Sequence, residues 1–132
     1  MRAGVPIFVL LSTTLAGCFT VRSTGSFTYT RVDAASYARL LADSTARVLV
    51  DVRTPGEHAK GHLPGAINRS YLSFRYGRLV RDLDRSTLVL LYCHTCHRSP
   101  LAARRMKRMG FRRVVDLDGG LQRWPGPITI AP

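Results

Sequence analysis

TLVLLYCHTCHRSP, residues 87 to 100, runs through three kinds of sequence in one stretch. Thr87 to Tyr92 is an almost continuous apolar run, the pattern of a strand covered on both faces in a parallel sheet. Cysteines, histidines and an arginine then crowd into Cys93 to Arg98. Ser99 reads as a helix N-cap, Pro100 as a first-turn residue whose missing N–H costs nothing, and Gly110 as the helix end. A second run, RVLVDV at 47 to 52, has the same buried character. Such strands alternating with helical patterns imply an α/β domain with a mainly parallel sheet. Ligands of these sheets bind beyond the carboxyl ends of the strands, where residues 93 to 98 fall.

Working outward, Phe27 to Val32 reads as a strand. Asp33 reads as the N-cap of a helix with Tyr37, Leu40 and Leu41 on one face. Pro55 to Ala59 suits a single helical turn, Gly61 and Pro64-Gly65 punctuate a loop, and residues 66 to 68 suit a short strand. His58 is expected to be exposed and His62 to be a hydrogen-bonded turn residue. Residues 71 to 83 are expected to form a helix or irregular cover that turns Tyr71, Leu72, Phe74, Leu79 and Leu83 inward. Met106 and Met109 are expected to face the core from the helix after the cysteine loop. Val114 to Leu117 supplies a last strand before Gly119-Gly120 and a short segment ending in Trp124.

The chain has 132 residues, 45% of them hydrophobic, enough for one core. Its formal charge of +12 is almost wholly arginine, since Lys60 and Lys107 are its lysines. The basic residues are not interleaved with aromatics as in a single-strand binding groove, so nucleic acid is not expected as a partner. The N-terminus, MRAGVPIFVLLSTTLAGC, has a basic start, a short apolar run and small residues before Cys18, the plan of a secretory signal. Leu15 to Cys18 has the form of a bacterial lipobox. Residues 1 to 17 are therefore expected to be a lipoprotein signal peptide, Cys18 the lipidated residue and 18 to 28 a tether. The domain is expected at 29 to 126, with a tail at 127 to 132. The protein is accordingly expected outside the cytoplasm, in the cell envelope, held to a membrane by acyl chains on Cys18.

For the loop, the residues alone leave several chemistries open. Cys93-His94-Thr95-Cys96-His97 has the spacing of a c-type haem attachment site, although a tight strand-to-helix junction suits haem poorly. Four nitrogen and sulfur ligands suit zinc or copper, yet structural sites usually draw on two chain segments, and no metal is expected. Cys93 and Cys96 also form the CxxC of a thiol-disulfide redox protein. A fourth reading is a thiolate at Cys93, favoured by helix-start amides and the Arg98 charge. A cysteine that is simply part of the core is the remaining alternative.

Three segments in order bear on the choice: LVDVRTPGEHAKGHLPGAIN at 49 to 68, the apolar strand ending in the cysteine loop with Arg98-Ser99, and VVDLDGGLQRW at 114 to 124. Together they resemble the rhodanese homology domain. The resemblance implies a single five-stranded, mainly parallel sheet with helices on both faces. It also implies transfer of a sulfane sulfur through a persulfide on Cys93, from a small anionic donor such as thiosulfate to a thiol or cyanide acceptor, without a cofactor. By the same resemblance His94, Thr95, Cys96, His97, Arg98 and Ser99 form the substrate-binding loop. Asp51, Arg53 and Glu57 support it from behind, with Arg53 paired to Glu57. Phosphatases and arsenate reductases on this fold have a loop one residue longer, which makes room for a tetrahedral oxyanion, so the spacing here favours sulfur. Cys96 stands where the family usually has glycine. A redox protein using Cys93 and Cys96, and a non-catalytic binding module, remain the alternatives.

Overall fold

A computed structural model describes residues 26 to 130. The signal, lipobox and most of the tether expected from the sequence, Cys18 included, lie outside the described residues, as do the last two residues of the tail. In chain order the elements are β1 (Thr28–Val32), α1 (Ala34–Ala42), β2 (Arg47–Asp51), α2 (Pro55–Ala59), β3 (Ile67–Asn68), α3 (Tyr76–Leu79), β4 (Leu88–Tyr92), α4 (Arg98–Arg108) and β5 (Arg113–Leu117), followed by a 3-10 turn at Leu121–Arg123. The five strands form one sheet in the order β1-β5-β4-β2-β3. Every neighbouring pair is parallel. The expected α/β domain is thus present, with β4 at the centre.

Alternation along the strands assigns each side chain to one of two cores. Val89, Leu91 and Cys93 join Val50, Val52, Val114, Ala102, Ala103 and Met106 beneath α3 and α4. Leu90 and Tyr92 join Leu49, Leu63, Leu117 and Tyr37 on the face covered by α1. A continuous apolar run is required at β4 because both faces are buried. The same period of two puts Cys93 and Tyr92 on opposite sides of the sheet, and this separates the groups around the cysteine from those around Asp51.

Local signals explain several helix ends. Asp33 caps α1 by accepting from Ser36 N–H at 2.7 Å. Thr54 and Glu57 form a reciprocal capping box at α2, whose first residue is Pro55. Gly110, at φ 88°, follows the end of α4 in the left-handed conformation that helix termini favour.

Two expectations fail. Ser99 does not cap α4: His97 occupies the N-cap position without a side-chain cap bond, and Ser99 lies inside the first turn with its hydroxyl turned into the protein. The cover after β3 is mostly turns with one short helix, and Leu72 and Phe74 point outward, 63% and 92% exposed. Tyr76 and Val80 fill the core there, with Tyr71 packed on its margin, while Phe74 lies beneath the Arg75 guanidinium. Met106 is fully buried and Met109 packs at the edge of the same core.

Candidate active site

Cys93 follows the last residue of β4 and precedes the loop that winds into α4. Its sulfur is buried, yet it has polar company: the Cys96 N–H donates to Sγ at 3.0 Å, and Ser99 Oγ lies 3.3 Å away. Cys96 achieves this by adopting φ 116°, a conformation that side chains bearing a Cβ rarely take. The residue that departs from the family pattern therefore occupies a backbone position suited to glycine.

Behind the loop, Ser99 Oγ donates to Asp116 Oδ2 at 2.9 Å, and Tyr29 OH donates to the same oxygen at 2.7 Å. Asp116 is fully buried, and its other oxygen, Oδ1, has no hydrogen-bond partner. Burial pushes the Asp116 carboxyl above its ordinary range. Burial and then the Asp116 hydrogen bond raise the Tyr29 hydroxyl to about 12. Sequence reading did not single out Asp116 or Tyr29. The usable signal was a lone aspartate inside the apolar strand VVDL, since a carboxylate in a buried strand must have partners.

Asp51, Arg53 and Glu57 support the loop differently from the expectation. Arg53 pairs with Asp51, not Glu57: its Nε and Nη2 reach the carboxylate at 3.0 and 2.6 Å, and its backbone N–H donates to Oδ1 at 2.9 Å. Tyr92 OH donates to Asp51 at 3.0 Å and His58 Nδ1 lies 2.9 Å from it, so His58 is a partly buried member of this cluster and not a free surface residue. His62 is a turn residue as expected, bonded through Nδ1 to the His58 carbonyl oxygen and stacked on the His58 ring. The Arg53 guanidinium also reaches Gly61 O, while Leu63 N–H donates to Tyr92 OH, which fastens the segment after α2 to the sheet.

Glu57 instead takes Arg98. Arg98 Nη1 donates to Glu57 Oε2 and Nη2 to Oε1, each at 2.6 Å, a fork that ties α2 to the first residue of α4. That hydrogen bond holds the Glu57 carboxyl well below the usual carboxylate range and raises the Arg98 guanidinium. Arg98 thus carries its charge near the loop while bonded to Glu57, and it is not a free cation above the sulfur.

The remaining loop residues line the outside. His94 and His97 are exposed, and Thr95 Oγ1 meets His97 Nδ1 at 2.8 Å. The carbonyls of Cys93 and His94 accept from Leu121 N–H and Gln122 N–H at 2.8 and 2.9 Å. Gly120 makes this close approach possible: a Cβ there would lie 2.5 Å from both carbonyl oxygens. A cleft of about 330 Å³ beside His94 is lined by Arg53, Glu57, Lys60, Leu121 and Trp124. A larger cavity, about 690 Å³, lies between α1, the start of β2 and Trp124 and contains no residue of the cysteine loop. Among the described residues no group of three or more His, Cys, Asp or Glu side chains is placed to hold a metal ion.

The rhodanese-like domain profile matches residues 33 to 126. A protein named sulfurtransferase from Allochromatium vinosum is 34% identical over 86 residues, which cover 62% of this chain and 77% of that one. A protein named putative sulfur carrier from Bacillus subtilis is 32% identical over 76 residues, 58% of this chain and only 40% of that longer protein. Among solved structures, a rhodanese-like domain from Anabaena superposes with a TM-score of 0.66 at 26% identity, covering 76% of this chain and 78% of that one. A thiosulfate sulfurtransferase from Pseudomonas aeruginosa gives 0.64 at 27% identity, covering 77% of this chain and 20% of that one. With the profile spanning the sheet from the start of α1 past the cysteine loop and β5, the chain belongs to the rhodanese-like domain family.

Proposed function

We propose that this protein is an exported, lipid-anchored sulfurtransferase that carries sulfane sulfur as a persulfide on Cys93. The observation that carries the reading is the sulfur of Cys93 at the carboxyl end of β4, in contact with the Cys96 N–H and the Ser99 hydroxyl. The Cys96 N–H donates to this sulfur and stabilises its anion. The thiolate attacks the outer sulfur of thiosulfate, the S–S bond of the donor breaks, and sulfite leaves with the bonding pair. A thiolate or cyanide then attacks the outer sulfur of Cys93–S–S⁻, which regenerates the thiolate. His94, Thr95 and His97 stand at the mouth, and Arg53 and Lys60 give the adjoining cleft cationic side chains that attract an anionic donor. The Arg98–Glu57 fork and the Asp51 cluster keep the loop in place without touching sulfur. The proposed lipid on Cys18 would hold this chemistry at a membrane surface.

Intact-mass measurement after incubation with thiosulfate, and separately with polysulfide, tests the enzyme reading. One added sulfur atom, absent in Cys93→Ser, is expected; no uptake from either donor would contradict it. The competing redox reading uses Cys96 as the partner thiol, and Cys96→Gly separates the two. A sulfurtransferase keeps its turnover in that variant, whereas a disulfide enzyme loses it. Metabolic labelling with a radioactive fatty acid tests the anchor, with label expected on the wild type and lost in Cys18→Ser.

A further inference from the structure

We propose that Asp116 is the proton acceptor for Cys93, reached through the hydroxyl of Ser99. This rests on the sulfur-transfer reading only in taking Cys93 as the nucleophile. The distances form an unbroken path: Cys93 Sγ to Ser99 Oγ at 3.3 Å, and Ser99 Oγ to Asp116 Oδ2 at 2.9 Å. All three residues are buried, so water does not compete along the path. Strand alternation is the cause, since it puts Cys93 and Asp116 on the face that α4 covers, with Ser99 between them.

The transfer balances as a concerted shift of two hydrogens. Cys93 S–H gives its proton to Ser99 Oγ while the Ser99 hydroxyl hydrogen passes to Asp116 Oδ2. The negative charge moves from carboxylate to sulfur, and the hydroxyl ends by donating to the thiolate. Before the shift Ser99 donates to Asp116 and can only accept from the thiol; afterwards it serves the anion that reacts. Asp116 is suited to holding this proton, because as a carboxylate it keeps Oδ1 buried without a partner, and a neutral carboxyl carries less charge on that oxygen. Burial also raises its affinity for a proton.

The groups around Asp116 set the balance. On β1, Tyr29 donates to Oδ2 and favours the carboxylate, and Arg31 Nε, on a side chain 39% exposed, does so weakly from 3.8 Å. Asp118, beyond β5, opposes them by like charge, and Tyr37 of α1 feels the Asp116 charge through the sheet. Tyr29 is the partly exposed end of the path, where the proton can exchange with solvent.

Two titrating groups that share a proton titrate as a pair. The test is the iodoacetamide rate at Cys93 in the full chain from about pH 4 to pH 10, with fragment-ion mass spectrometry separating Cys93 from Cys96. Wild type is expected to show two steps: a partial plateau while Asp116 holds the proton, then a further rise when that proton is lost. Asp116→Asn is expected to give a single step. Ser99→Ala keeps both titrating groups, and its first plateau should be about tenfold lower for loss of a hydrogen bond to a charged sulfur. A single-step wild-type profile that coincides with Asp116→Asn, or an unchanged plateau in Ser99→Ala, would overturn the proposal. Alkylation uses no sulfur donor, so a two-step profile in a protein that takes up no sulfur would leave this path standing and remove the sulfurtransferase reading alone.

Discussion

Replacing Cys96 with glycine should stabilise the protein, although it deletes a side chain beside the site. At φ 116° the Cys96 Cβ crowds its own backbone, a strain of about 1 to 3 kcal/mol at positions of this kind. Glycine removes that strain and gives back about 0.5 to 1 kcal/mol through the greater freedom of the unfolded chain. The side chain is only partly buried, so little apolar burial is lost. The net expectation is about 1 kcal/mol of added stability, or a Tm higher by about 4 to 8 °C for a domain of this size. Urea unfolding followed by circular dichroism, with thermal melts in reducing buffer, measures both. The backbone N–H that reaches Cys93 survives the change, so sulfur uptake should survive as well. A Tm equal to or below that of wild type would refute the strain argument and mean that the Cys96 side chain makes contacts worth more than the backbone relief.

Gly120→Ala should do the opposite, because its Cβ meets two carbonyl oxygens of the cysteine loop; a loss of about 3 kcal/mol in urea unfolding is expected. Glu57→Gln should cost about 1 kcal/mol by weakening the fork to Arg98, as read from thermal melts. Glu57 also sets a pH dependence: its folded carboxyl is held below the ordinary value of 4.5, so its stabilising effect is complete above that value and is lost as the pH falls beneath it. Unfolding free energy should therefore drop more steeply below pH 4.5 in wild type than in Glu57→Gln. Phe74→Ser should shift stability by less than about 0.5 kcal/mol because the ring is exposed, whereas Phe111→Ala, in the core, should cost about 3 to 5 kcal/mol.

Much of this arrangement was legible in the sequence because it rests on local rules. Continuous apolar runs marked β2 and β4, Asp33 and Pro55 marked helix starts, and the strand-loop-helix order placed Cys93 at the carboxyl end of the sheet. What escaped depends on contacts between distant segments. Arg53 and Glu57 suggested a pair, yet Arg53 turns back to Asp51, two residues before it, and Glu57 takes Arg98, which only the packing of α4 against α2 brings near. Ser99 had the composition of a cap, but Asp116, many residues later, claims its hydroxyl. Leu72 and Phe74 followed hydrophobicity inward, although the turns after β3 give the core positions to Tyr76 and Val80. The positive φ of Cys96 was foreshadowed only by the glycine that the family usually has there.

Whether Cys93 carries sulfur between two partners is decided by single-turnover transfer. The protein is loaded with thiosulfate, freed of donor by gel filtration and mixed with cyanide, and thiocyanate is measured against protein. Wild type is expected to give stoichiometric thiocyanate and Cys93→Ser none. Undiminished thiocyanate from Cys93→Ser, or none from wild type whose Cys93 is reduced, would contradict sulfur transfer through Cys93.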